Sequence, residues 1–491
     1  MRAKLIFLCL IFSIPLVISI NSIFNKEENN NNLVFYCAAG LRLPVQEIVE
    51  NYQNEFQDRI NIQFAGSGTL LSNIEASNTG DLYLAADTSY IDIAIDKGFV
   101  ESTIPTCNLT AGFVVKKNNP LKLKSIDDIL NNPSVRVVLA NPEAASIGKF
   151  SKKVLTDSDK WKSISARAVV MKPTVNEIAN AVKLNSADVG IVWDAVANQY
   201  AELEFVPLPE FNEKKKLVTI GLLKSSLNKP AAMKFARYLS SKDKGQMVLK
   251  KHGFEILSGD QWELNPSIVL YTGAMLNPAI KKSLDLFEKR EGVSVDVVPN
   301  GCGVLVSQMK AGARPDAYFS CDVSFMNDVE HLFSPSITIS QNDMVILIKK
   351  DKVDEIKKIK DLEVPGLRVG CAHPKKSALG ALTVRLLDNL KINLGSNLTL
   401  DSATGDFLVN QLRAGSLDAI IVYRSNALAN SSTLDDAAIV EINDSSALAY
   451  QPFAIGLNTK HKNLMTRLFD TLTSQQAKSD FEKIGFKWMV E

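Results

Sequence analysis

AGSGTLLSNIEASNTGDLYLAAD (residues 65–87) returns as NGCGVLVSQMKAGARPDAYFSCD (residues 300–322), 235 positions later. Each stretch reads as a Gly-X-Gly turn, a short apolar-faced helix and a strand ending in aspartate, Asp87 or Asp322. The central residue of the turn changes from Ser67 to Cys302. Working outward, NLVFYCAAGLRLPVQEIVENYQNEF from Asn32 matches SIVLYTGAMLNPAIKKSLDLFEKRE from Ser267. SADVGIVWDAVAN from Ser186 matches SLDAIIVYRSNAL from Ser416, and KKHGFEIL from Lys250 matches EKIGFKWM from Glu482. The order of the matches is the same throughout, which makes this a tandem duplication. Copy one is placed at 33–257 and copy two at 267–491, joined by the polar, Gly- and Pro-containing linker SGDQWELNP at 258–266.

Within copy one the pattern predicts strand 33–37, helix 43–57, strand 60–64, helix 68–77, strand 81–85 and helix 88–97. A segment near Cys107 crosses to a second run: strand 135–140, helix 146–156 and strand 189–193. The chain returns with VTIGLL from Val218 and its neighbourhood, followed by two closing helices. Alternating strands and helices predict doubly wound α/β layers. The crossing and the return predict two lobes per copy with a cleft between them.

The chain of 491 residues is too long for one ordinary core, which a duplication resolves. Its formal charge of +1 offers no bulk field for nucleic acid. The first residues, MRAKLIFLCLIFSIPLVISI, put two basic residues before an apolar run, which reads as a secretory signal or an uncleaved membrane anchor. NKEENNNN follows as a polar spacer, so residues 1–32 are set apart from the fold, and the folded part is expected in the periplasm or otherwise outside the cytoplasm, free or anchored to the membrane. Beyond Cys9, five cysteines remain: Cys37, Cys107, Cys302, Cys321 and Cys371. An odd number leaves at least one thiol free or paired between molecules.

Asp87 and Asp322 suit a structural role at helix starts, with ligand contact as the alternative. Cys302, Cys321 and the Cys371/His373 pair in GCAHP admit two readings, a soft-metal or redox site and a plain Cys302–Cys321 disulfide, although their spacing matches no standard zinc pattern. Trp193 and Tyr423 are either core aromatics or cleft residues. The four histidines, His252, His331, His373 and His461, stand in no triad context, and the Gly-X-Gly turns lack the rest of a dinucleotide fingerprint. The protein is therefore expected not to be an enzyme and to need no cofactor.

The AGSGTL turn, the DLYLAAD strand end, the ANPEAASIG loop from Ala140 and GIVW ending at Trp193 resemble the periplasmic molybdate-binding proteins. The resemblance covers essentially all of both copies. It implies two tandem class II periplasmic-binding-protein domains, each closing over a tetrahedral oxyanion, molybdate or tungstate, for delivery to an ABC transporter permease. Backbone N–H groups at helix starts are pre-oriented donors with partial positive charge, so a near-neutral chain can hold a dianion. Position by position, the resemblance implies Gly40, where the family has Ser, then Ser67, the amides near Ile147 and Val175, and Trp193 in place of Tyr. In copy two it implies Met275, Cys302, the amides near Leu379 and Gly405, and Tyr423. A thiol is a weak donor, so Cys302 marks the second cradle as altered. The alternative is a sensory or metal-handling protein whose copies take different ligands, copy two using its cysteines.

Overall fold

The computed structural model describes residues 32–211, 214–430 and 432–490. The expected signal or anchor and nearly all of the spacer lie outside the described residues. Among the described residues no helix is long and apolar enough to cross a membrane.

Copy one is built from two sheets. The first lobe has six strands in the order Glu255–Ile256, Val100–Leu109, Lys216–Leu223, Leu82–Ala85, Asn32–Ala38, Arg59–Ala65. Asn32–Ala38 is parallel to both of its neighbours, with Phe35 facing Ile62 on one side and Leu82 on the other. The central strand Leu82–Ala85 is buried along its whole length, so it reads as a continuous apolar run and not as an alternation. The helix Arg42–Phe56 turns Val45, Ile48, Val49 and Tyr52 inward, the three- and four-residue spacing of one helical face. The second lobe has five strands in the order Ala168–Lys172, Val137–Ala140, Val189–Trp193, Ala111–Lys116, Leu203–Pro207. The chain passes between lobes at Thr110, whose amide donates to Asp194 Oδ1 at 3.2 Å, and returns with Lys216–Leu223. Two crossings of this kind leave a cleft with a hinge at one side.

Copy two repeats the plan with one difference. Its first crossing is a single strand of 13 residues, Ile337–Lys349, which pairs with Leu448–Ile455 in one lobe and with Ala419–Tyr423 in the other. The two sheets of copy two are thereby continuous, as one ten-stranded sheet. The fold is α/β throughout, two class II binding-protein domains in tandem.

The copies meet through their first lobes, where the helix Lys229–Ser240 packs on Asn277–Glu291. At the centre of this contact Glu291 is fully buried. It accepts from Arg467 Nε at 3.1 Å and Nη2 at 2.9 Å and from Arg290, while Arg237 of copy one donates to its backbone carbonyl. Burial alone would raise the Glu291 pKa, but the Arg467, Arg290 and Arg237 guanidiniums outweigh it and hold the carboxyl below its usual range. The segment between the copies is itself fastened. Trp262 packs on Phe56 and Tyr238 of copy one, and Asp260 accepts from the Asn463 and Leu464 amides at the start of a copy-two helix.

Candidate functional site

In copy one the strand Asn32–Ala38 ends at a tight turn, Ala39–Leu41, with all three residues buried. The neighbouring strand Arg59–Ala65 ends at Gly66, which caps the helix Ser67–Ser77 without lending it a side-chain hydrogen bond. From the other lobe the helix Ser146–Asp157 starts at Ala145, again with no side-chain cap. Val175–Lys183 starts at Thr174, whose hydroxyl serves the Glu177 amide and so leaves the first amides of that helix unserved by it. These starts converge on one cavity of about 20 Å³, lined in part by Gly40, Ser67, Ser146, Ile147, Val175 and Trp193. Among the described residues no charged side chain lines it. Helix starts aimed at a common point, with first-turn amides that no capping side chain serves at Ser67 and Ser146 and ahead of Glu177 in the Val175 helix, make an anion site out of partial charges alone.

Of the three hydroxyl-bearing residues lining this cavity, Ser67, Ser146 and Thr174, the two serines are in different states. Ser67 Oγ accepts the Ala86 amide at 3.2 Å, which leaves its own proton to donate elsewhere. Ser146 Oγ is buried and has no partner among the described residues. A buried hydroxyl left alone costs about 1–3 kcal/mol, and such a group in a cleft points to a ligand that pairs with it. Trp193, fully buried, stacks on Phe150 with centroids 5.8 Å apart, so it is both core and cavity wall.

The lobes are closed. The Gly68 and Thr69 amides donate to Ala144 O across the cleft at 2.9 and 3.3 Å, Tyr90 Oη donates to Pro142 O at 2.9 Å, and Gln199 Nε2 to Gly40 O at 3.3 Å. A Cβ at Gly66 would overlap the carbonyls of Ala144 and Pro173, and one at Gly68 would overlap Glu143 O. These glycines are needed for the close approach of two backbones.

In copy two the equivalent positions carry altered chemistry. Leu379 is the second residue of the helix Ala378–Asn389 and Gly405 the first of Gly405–Arg413, and neither helix start has a side-chain cap. Met275, at the position of Gly40, is buried, with Asn342 Nδ2 4.0 Å from its sulfur. Cys302 is bonded to Cys321 in a disulfide, so no Cys302 thiol is present to act as the weak donor expected there. The same bond removes the two thiolates that a soft-metal site would use. Cys371 is free but buried, and burial pushes its thiol up to about 12. Among the described residues no group of three or more His, Cys, Asp or Glu is arranged to hold a metal. Tyr423 Oη is buried without a partner among the described residues.

Asp87 and Asp322 take the structural role, accepting the Ser89 and Ser324 amides at 3.0 Å each. Cys37 and Cys107 are free and buried. A larger cavity of about 790 Å³ lies between the copies, but its walls mix Lys229, Lys289 and Arg290 with Glu101 and Asp470, so it lacks the uncharged lining of the copy-one cleft. Ser146 and Thr174 were missed by sequence reasoning. The signal for Ser146 was its place at the first residue of the predicted helix, directly before Ile147.

The family described as bacterial extracellular solute-binding protein matches residues 33–255 and again residues 268–487. This chain belongs to that family. Each match spans one copy of the duplicated solute-binding domain. A putative binding protein of Haemophilus influenzae is 28% identical over 198 residues, covering 40% of this chain and 79% of that protein. The Escherichia coli molybdate-binding protein ModA is 26% identical over 240 residues, covering 47% of this chain and 92% of ModA. Among solved structures, the Azotobacter vinelandii periplasmic molybdate-binding protein aligns with 46% of this solute-binding protein and 100% of its own chain, at 16% identity and a TM-score of 0.40. AfuA from Actinobacillus pleuropneumoniae, with exogenous fructose-6-phosphate bound, aligns with 48% of this chain and 88% of its own, at 16% identity and a TM-score of 0.42. The relatives are named as binding proteins and not as enzymes, and the family description places such proteins outside the cytoplasm.

Proposed function

We propose that this solute-binding protein captures a tetrahedral oxyanion, molybdate or tungstate, in copy one and delivers it to an ABC transporter permease. On this reading the chain divides at 33–257 and 267–491, with 258–266 as the linker. The observation that carries the proposal is the convergence of helix starts without side-chain caps and of the Ser67 and Ser146 hydroxyls on one small cavity whose lining, among the described residues, has no charged side chain. The oxyanion ligands assigned to copy one are the Ser67 and Ser146 hydroxyls and the amides near Gly40, Ile147 and Val175, with Trp193 as wall.

Two physical arguments favour a compact, fully deprotonated dianion. A cavity of about 20 Å³ is on the scale of one to a few atoms, so a sugar phosphate would need the lobes held apart. With no carboxylate in the lining, a protonated anion such as hydrogen phosphate finds no charged acceptor for its proton, whereas a dianion needs donors only. Competition titration tests the assignment: molybdate should bind and resist displacement by a hundredfold excess of sulfate or phosphate. Preferential binding of either competitor would reassign the ligand.

A further inference from the structure

In copy one the Ala86 amide donates to Ser67 Oγ at 3.2 Å; in copy two the Cys321 amide donates to Cys302 Sγ at 3.1 Å. The pairs occupy equivalent positions in the repeat, so each helix-start heteroatom accepts an amide hydrogen bond from the end of the adjacent strand; Cys302 Sγ also has Ser320 Oγ at 3.8 Å. The difference lies in what remains. Ser67 keeps an O–H to donate into the cleft. Cys302 Sγ, bonded to Cys321 Sγ, carries no hydrogen and can only accept.

The disulfide is accommodated by its surroundings. Gly273 stands where copy one has Ala38, and a Cβ at Gly273 would overlap Cys321 Sγ and crowd Cys302 Sγ. Three neighbouring positions thus differ together between the copies, each in the sense that the disulfide requires. The rest of the second cradle is retained. The helix starts at Ala378 and Gly405 have no side-chain cap, and Tyr423 Oη, 2% exposed as a residue, has no partner among the described residues. An apolar replacement at 423 would have removed that orphan, so its presence points to a ligand bound in another state of the site.

We propose that copy two holds a second oxyanion site gated by thiol redox state: closed to anions as the Cys302–Cys321 disulfide, competent as the dithiol. This rests on the oxyanion reading of copy one. The step is a two-electron exchange with a dithiol. One donor thiolate attacks a protein sulfur and the S–S bond breaks; the second donor thiol displaces the mixed disulfide, so the donor leaves oxidised and Cys302 and Cys321 each gain a proton. Cys302 then accepts from the Cys321 amide and donates S–H into the cleft, the arrangement Ser67 has in copy one. Met275 must swing aside, which its three side-chain torsions permit. Both sulfurs are buried, so the reductant reaches them only when the lobes part.

The test counts molybdenum bound per full-length chain by equilibrium dialysis against sodium molybdate. It compares air-oxidised protein, protein reduced with a phosphine and desalted under argon, and the Cys302→Ser/Cys321→Ala double variant. One equivalent in the oxidised form and two in both others is the expected result. One equivalent in all three, or two in the oxidised form, overturns the gate while leaving the copy-one reading intact. No binding in any form overturns the receptor reading and the gate with it. The copy-one equivalent serves as an internal check on folding, and if the double variant loses it, the phosphine arm decides.

Discussion

The Gly68 amide donates to Ala144 O at 2.9 Å, joining the start of a first-lobe helix directly to a second-lobe loop. Closure therefore depends on the absence of a side chain at Gly68, where a Cβ would meet Glu143 O and Tyr90 Oη. Gly68→Ala should hold the lobes apart and weaken molybdate binding about tenfold or more, equal to about 1.4 kcal/mol. Calorimetric titration reads this directly. The melting temperature of the ligand-free variant should fall by only a few degrees, since each lobe keeps its own core.

Ser146→Ala separates ligand contact from folding. The Ser146 hydroxyl has no protein partner, so its removal should leave ligand-free stability within about 0.5 kcal/mol or raise it, while affinity drops roughly tenfold. Ser67→Ala differs because it also strips the acceptor from the Ala86 amide. That variant should lose about 1–3 kcal/mol of stability as well as affinity. Urea unfolding and titration of both variants check the contrast.

Glu291 joins the two copies. Glu291→Gln would leave the buried Arg467 and the half-buried Arg290 without their carboxylate, at a cost of about 3–5 kcal/mol. Thermal unfolding should show the loss, with the first lobes of both copies affected together. Glu291→Gln should leave molybdate affinity nearly unchanged, because the site lies elsewhere.

The same carboxylate sets a pH dependence. Its folded-state pKa is held below the usual carboxylate range, so its contribution is fully present above about pH 4.3, the ordinary glutamate value, and is lost as pH falls through the lower folded value. Acid titration should lower the wild-type melting temperature over that window more steeply than it lowers that of Glu291→Gln.

Much of this fold was legible because apolar periodicity carries it. Helix 43–57 is observed as Arg42–Phe56, strand 189–193 as Val189–Trp193, and strand 135–140 as Val137–Ala140. The duplication was legible because Gly66, Gly68, Gly301 and Gly303 recur at equal spacing, each forced by a backbone crossing close overhead. What was not legible depends on tertiary approach. Ser146 and Thr174 become cavity residues only because two lobes fold helix starts toward each other. The choice between a disulfide and a metal for Cys302 and Cys321 turned on a strand end lying beside a helix start. The Arg237–Glu291–Arg467 cluster joins residues from distant helices that no local pattern relates.

The most direct test of the central claim is calorimetric titration of the oxidised full-length chain with sodium molybdate, repeated with sodium tungstate and with sodium sulfate. One saturable site per chain for molybdate and tungstate, weak or absent heat for sulfate, and loss of that site in the Ser67→Ala/Ser146→Ala double variant is the predicted result. No binding of molybdate or tungstate, or binding unchanged in the double variant, would contradict it.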